Sequence, residues 1–126
     1  YARVPAPAEA GELRAALNAL KPHHPAARIT LEPGLYRPPY EKTPQIQALY
    51  DLACACADDL GITLNGERVA GGGSDGNFTA AVGLPTLDGL GVIGGGPHTH
   101  QEYALISSLE PRARLLVALL ERIGTS

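Results

Sequence analysis

The chain has 126 residues, 44% of them hydrophobic and 18% charged, a balance that suits one modest globular domain with a real core and excludes a disordered tail. Its formal net charge of −3 comes without any basic block, which argues against a nucleic-acid or anionic-membrane partner. No apolar run reaches membrane-spanning length, and no charged-then-apolar leader opens the chain. There is no methionine, and the opening "YARVP" reads like the inside of a strand, so a piece of a longer protein is expected.

Residues 1–5 read as a strand end, punctuated by Pro5 and Pro7. A helix is predicted from about Ala8 to Leu20, where Leu13, Ala16, Leu17 and Leu20 give one apolar face before Lys21-Pro22 stops it. "HHP" at 23–25 is a loop. "ARITLEPG" then alternates Ile29 and Leu31 against Thr30 and Glu32 and reads as a strand. Prolines 38, 39 and 44 keep "YRPPYEKTPQ" out of helix interior and central strand. Thr43 followed by Pro44 is a helix start, a hydroxyl cap and then proline at the first helical position. Ile46, Leu49, Ala53, Cys56 and Leu60 form the apolar stripe of that helix, and Gly61 ends it.

Cys54 and Cys56 are too close for an ordinary disulfide, and no second pair exists for a zinc site. They read as small hydrophobes near a core in a reducing compartment, so a cytoplasmic location is expected. A short strand around Gly66 to Ala70 and a short helix from about Asn77 to Val82, capped by Ser74 or Asp75, follow. The chain closes with a helix from about Pro111 to Ile123, with Leu115, Leu116, Leu119 and Ile123 on one face. Alternating strand and helix argue for α/β or α+β.

Three stretches carry chemistry. "GGGSDGN" at 71–77 brings backbone amides and a helix start to one place, which suits a carboxylate or an oxyanion; a plain tight turn is the blander reading, and no Lys follows to make a P-loop. Arg37, on a backbone stiffened by Pro38 and Pro39, is either a carboxylate clamp or a solvated arginine. In "GGGPHTHQEY" at 94–103, His98 and His100 point to opposite sides if the segment is extended, so at most one of them is expected to act. Glu102 either orients that one or caps the next element. There is no HExxH and no CxxC, and one imidazole does not complete a zinc site.

"LYRPPYEKTP", "GGGSDGNFTAAVGLPTLDGLGVIGGGPHTHQEY" and the terminal helix, roughly residues 33–124, are strongly similar to the C-terminal part of the zinc-dependent glutamate carboxypeptidase family. That family also holds acetylornithine deacetylase, succinyl-diaminopimelate desuccinylase and the aminoacylases. "ARVPAPAEAGELRAAL" resembles the second strand–helix unit of its inserted domain.

The resemblance implies an α/β fold, the C-terminal portion of a two-domain zinc-dependent exopeptidase. A catalytic α/β domain would carry two zinc ions, and an inserted α+β lid would pair with its twin in a homodimer. Residues 1–35 fall in the second half of the lid and 36–126 in the catalytic domain. His98 maps onto the last metal ligand, Arg37 onto the substrate-carboxylate contact, and Gly72, Gly73 and Ser74 onto substrate contacts; His100 has no counterpart role. The other ligands, a His-x-Asp, a bridging Asp and a Glu-Glu pair with the general base, have no match in this sequence.

The implied activity is hydrolysis of an amide bond beside a carboxylate-bearing residue by metal-activated water, on a peptide or an N-acyl amino acid. The chain alone is expected to be inactive. The alternative is a non-catalytic binding or dimerisation module that keeps the fold.

Overall fold

A computed structural model describes residues 4, 6–32, 37–64 and 72–125. Four helices and one short antiparallel ladder make up the described elements: α1 (Pro7–Asn18), α2 (Pro44–Asp59), α3 (Gly76–Ala81), β1 (Gly94–Gly95), β2 (Tyr103–Ala104) and α4 (Leu109–Gly124), with a 3-10 turn at Ile106–Ser108 before α4. The chain divides into two compact units. One comprises Tyr1–Lys42 with Ala70–Leu84, the other Thr43–Val69 with Pro85–Ser126.

The second unit holds the core. α2 starts where the sequence places it: the Thr43 hydroxyl accepts the Ile46 amide at 3.2 Å and Pro44 sits in the first turn. It ends in a Schellman motif. Gly61, at φ 66°, lets its own N–H reach the Asp58 carbonyl at 3.0 Å and the Ile62 N–H reach the Ala57 carbonyl at 2.8 Å. Ala53, Cys56 and Ala57 present a small-residue face to Leu115 and Leu119 of α4, and these five side chains are buried together. Small residues on one helix let the leucines of the other seat deeply, as close packing demands. An Arg122–Asp59 ion pair also ties α4 to α2.

Cys56 lies in this core and Cys54 is half-buried; neither is in a disulfide. On α4, Leu115 and Leu119 are buried as expected, but Leu116 and Ile123 are exposed. Successive residues lie 100° apart on a helix, so Leu115 and Leu116 cannot both point into one narrow seam.

In the first unit, α1 begins at Pro7 and stops at Asn18, two residues short of the expected end. α3 spans one and a half turns and ends in a second Schellman motif, with Gly83 donating to Ala80 at 2.9 Å and Leu84 to Thr79 at 3.1 Å.

The strand expected in "ARITLEPG" (27–34) does not form over the described residues 27–32. Those residues are non-regular, and Ile29 and Leu31 are exposed. Alternation marks a strand only where a neighbouring strand supplies hydrogen bonds and a surface to cover, and no described residue does so here. The strand expected near Gly66–Ala70 and most of that expected at 1–5 lie outside the described residues. Among the described residues the architecture is therefore mixed helix with little strand.

Candidate functional site

In the first unit the site is built around Arg37. Its Nη1 donates to Asp75 Oδ1 at 2.8 Å, and its guanidinium carbon lies 5.2 Å from the centroid of the Phe78 ring. Its stem runs over Gly73, where a Cβ would approach the Arg37 Cδ to 2.9 Å. A side chain at this position would have to displace the arginine stem. The neighbouring Pro38 carbonyl accepts the Asn77 amide Nδ2 at 2.8 Å, so the backbone beside Arg37 is pinned to α3.

The turn leading into α3 is satisfied from within. Asn77 Oδ1 accepts the Ser74 N–H at 2.9 Å, and Ser74 Oγ accepts the Gly76 N–H at 3.1 Å. Asp75 occupies the N-cap position but makes no capping hydrogen bond; its carboxylate goes to Arg37 instead. Of the two capping residues expected, Ser74 bonds the turn and Asp75 is diverted. Two of the amides expected to face an anion are thus engaged inside the turn. Gly72 is exposed, and a Cβ there would meet nothing within 4 Å.

In the second unit the glycines of 94–96 build a hairpin. Gly94 pairs with Ala104 and Gly95 with Tyr103, and the Leu105 N–H extends the pairing to the Ile93 carbonyl at 2.8 Å. A side chain at Gly94 would run into the Tyr103 carbonyl. Buried Ser108 braces the stem: its hydroxyl accepts the Ile93 N–H at 2.9 Å and donates to the Leu105 carbonyl at 2.6 Å.

The loop carried by that stem is turned, not extended. Thr99 donates its N–H at 3.2 Å and its hydroxyl at 2.8 Å to the Gly96 carbonyl, and its Oγ1 accepts the Gln101 N–H at 3.1 Å. His98 has φ 64°, alone among the described non-glycine residues in lying on the positive side. That conformation costs on the order of 1 kcal/mol outside glycine, and it persists where the surroundings impose it. In this turn Glu102 Oε2 accepts the His98 N–H at 3.3 Å. The expectation that an extended backbone separates His98 from His100 is therefore corrected; both side chains are exposed on a compact turn.

Among the described residues no three His, Cys, Asp or Glu side chains gather to hold a metal ion. Two shallow cavities of the second unit, of about 110 and 530 Å³, are lined by neither histidine. Arg37, Gly73 and Ser74 are brought into one unit, whereas His98 belongs to the other. The sequence reading missed Phe78 and Asn77 as supports of Arg37, although Asp75 and Phe78 already stand at the three-residue spacing of one helix face. It also missed the hairpin and Ser108, because two-residue strands rich in glycine leave no periodic signal.

The sequence profile described as Peptidase family M20/M25/M40 matches residues 8–122. The chain is also similar to a curated protein, "Carboxypeptidase G2" of Pseudomonas sp. (strain RS-16): 33% identical over 89 residues, covering 70% of this chain and 21% of that relative. The chain spans about a fifth of that relative's length. No solved structure matches.

Proposed function

This chain belongs to peptidase family M20/M25/M40, and from that membership we propose that it is part of a zinc-dependent hydrolase that cleaves an amide bond beside a carboxylate-bearing residue. The observation that carries the reading is the family match over residues 8–122, joined by likeness to a protein named as a carboxypeptidase. Peptides or N-acyl amino acids are the substrate class. Residues 1–35 belong to a lid through which two copies pair, and 36–126 to the catalytic domain.

The described residues do not complete a metal site. What they supply is one imidazole and a cation. His98 is the residue offered to zinc, exposed on a loop whose backbone is fixed by Glu102 and Thr99. Arg37 takes the substrate carboxylate by charge-assisted hydrogen bonds; Gly72, Gly73 and Ser74 line its approach. The zinc pair would polarise the carbonyl and activate water when bound. Two free cysteines fit a cytoplasmic setting, and no described helix is long and apolar enough to cross a membrane.

The test compares the 126-residue chain with the longest polypeptide its natural gene encodes, both supplied with zinc. Release of the terminal amino acid from N-acyl amino acids and dipeptides is assayed, with terminal amides as controls. Turnover of the free acids by the longer polypeptide only is expected. Turnover by the 126-residue chain overturns the inactivity of the piece. Neither zinc retention nor turnover by the longer polypeptide overturns the hydrolase and leaves the binding module.

A further inference from the structure

We propose that Asp75 is a positioning residue for Arg37: together with the Phe78 ring it fixes the direction and roll of the guanidinium that meets a ligand carboxylate, an inference that rests on the reading of Arg37 as the carboxylate contact. A guanidinium is planar, so two contacts of different kinds define its orientation. An acceptor at its edge sets where the fork points, and a ring against its face sets the tilt of the plane. Arg37 has both, with Asp75 Oδ1 2.8 Å from Nη1 and the Phe78 centroid 5.2 Å from the guanidinium carbon. Asp75 is the N-cap of α3 and Phe78 lies in its first turn, three residues on. Gly73 backs the stem and Asn77 holds the Pro38 carbonyl, so the arginine is framed by a single turn of chain.

The turn's own hydrogen bonds show why Asp75 is available for this. Aspartate at an N-cap ordinarily accepts an amide two or three residues on. Here the amides of Asn77 and Phe78 donate to the backbone carbonyls of Ser74 and Asp75 at 3.2 and 3.0 Å, and the Asp75 carboxylate turns outward to the guanidinium. The Asp75 side chain is 93% exposed while that of Arg37 is 28% exposed. A pair with one partner so open to water contributes little to fold stability, which leaves orientation as its consequence.

A rival consequence has the opposite sign. If Asp75 instead occupies the place of the ligand carboxylate, its removal strengthens binding.

The experiment uses the 126-residue chain with N-acetylglycine and N-acetylglycinamide as probes, read by the Nε–Hε and Nη signals of Arg37 in nitrogen-15 NMR. Wild type is expected to respond to the acid and not to the amide, with distinct Nη signals from a guanidinium that does not rotate freely. Asp75→Ala is expected to merge those signals and to weaken acid binding about fivefold. Asp75→Asn, which keeps an acceptor oxygen, is expected to restore most of both. Gly73→Ala, which drives a methyl toward the Arg37 Cδ, is expected to weaken binding with every charge in place. Tighter binding by Asp75→Ala overturns the positioning role in favour of competition, and unchanged Nη signals with unchanged affinity overturn it outright. If Arg37→Ala binds the acid as wild type does, or wild type responds to neither probe, the carboxylate reading of Arg37 fails instead. The Nη signals still judge Asp75 in that case.

Discussion

Glu102 reaches back four residues to accept the His98 N–H at 3.3 Å, and His98 is held there at φ 64°. A carboxylate that secures the backbone of an exposed histidine limits where the imidazole can travel. Removing one exposed hydrogen bond of this kind costs on the order of 1 kcal/mol. Glu102→Ala is therefore expected to speed hydrogen exchange of the His98 amide about fivefold, while exchange in α2 and α4 is unchanged. An unaltered rate at His98 would show that Thr99 and the hairpin alone hold the turn.

Ser108 joins two strands that the sequence does not announce. Its hydroxyl accepts the Ile93 N–H and donates to the Leu105 carbonyl from a buried position. Ser108→Ala leaves the part-buried Ile93 N–H without its partner, while the Leu105 carbonyl keeps the Ser108 N–H at 2.9 Å; an orphaned donor of this kind costs about 1–3 kcal/mol. Urea unfolding monitored by circular dichroism should show a lower midpoint with an unchanged slope. A loss under about 0.5 kcal/mol would mean that water replaces the hydroxyl without penalty.

What the sequence discloses follows the physics of each signal. α2 and α4 are legible because packing repeats at helical spacing, and because Thr43-Pro44 and Gly61 are a local chemical start and stop that need no tertiary partner. Ile29 and Leu31 mislead because alternation says nothing about whether a second strand is present. Arg37 and His98 are legible as residue types on stiff or glycine-rich loops. Their surroundings are not, because Asp75 lies 38 positions from Arg37 and only folding brings the two together. The left-handed backbone at His98 is equally hidden: histidine is enriched at positive φ, but that preference does not tell His98 from the chain's other three histidines.

Arg37→Ala in the longest natural polypeptide should weaken hydrolysis of carboxylate-bearing substrates. A charge-assisted contact of this kind contributes about 1.5–3 kcal/mol, so kcat/KM is expected to fall tenfold to a hundredfold. The loss should be confined to substrates with a free carboxylate, measured beside their amides. Equal rates for the variant and wild type on the free acids would mark Arg37 as a surface residue balanced by Asp75.

His98 and His100 should separate under metal analysis, although not for the reason that extended geometry offers. The loop is turned, so the two imidazoles are not forced to opposite sides. The difference lies in the backbone. His98 holds a costly conformation at φ 64° under an explicit restraint from Glu102, and such strain persists where structure over-determines it. His98 also stands directly behind the Gly94–Pro97 run and is the residue proposed above as the zinc ligand. In the longest natural polypeptide, His98→Ala is expected to lower bound zinc and remove most activity, since a catalytic zinc relies on about three protein ligands. His100→Ala is expected to keep zinc near the wild-type level. Both variants are measured beside wild type by atomic absorption after dialysis. Zinc lost from His100→Ala and kept by His98→Ala would reverse the assignment, and the strain at His98 would then belong to the turn alone.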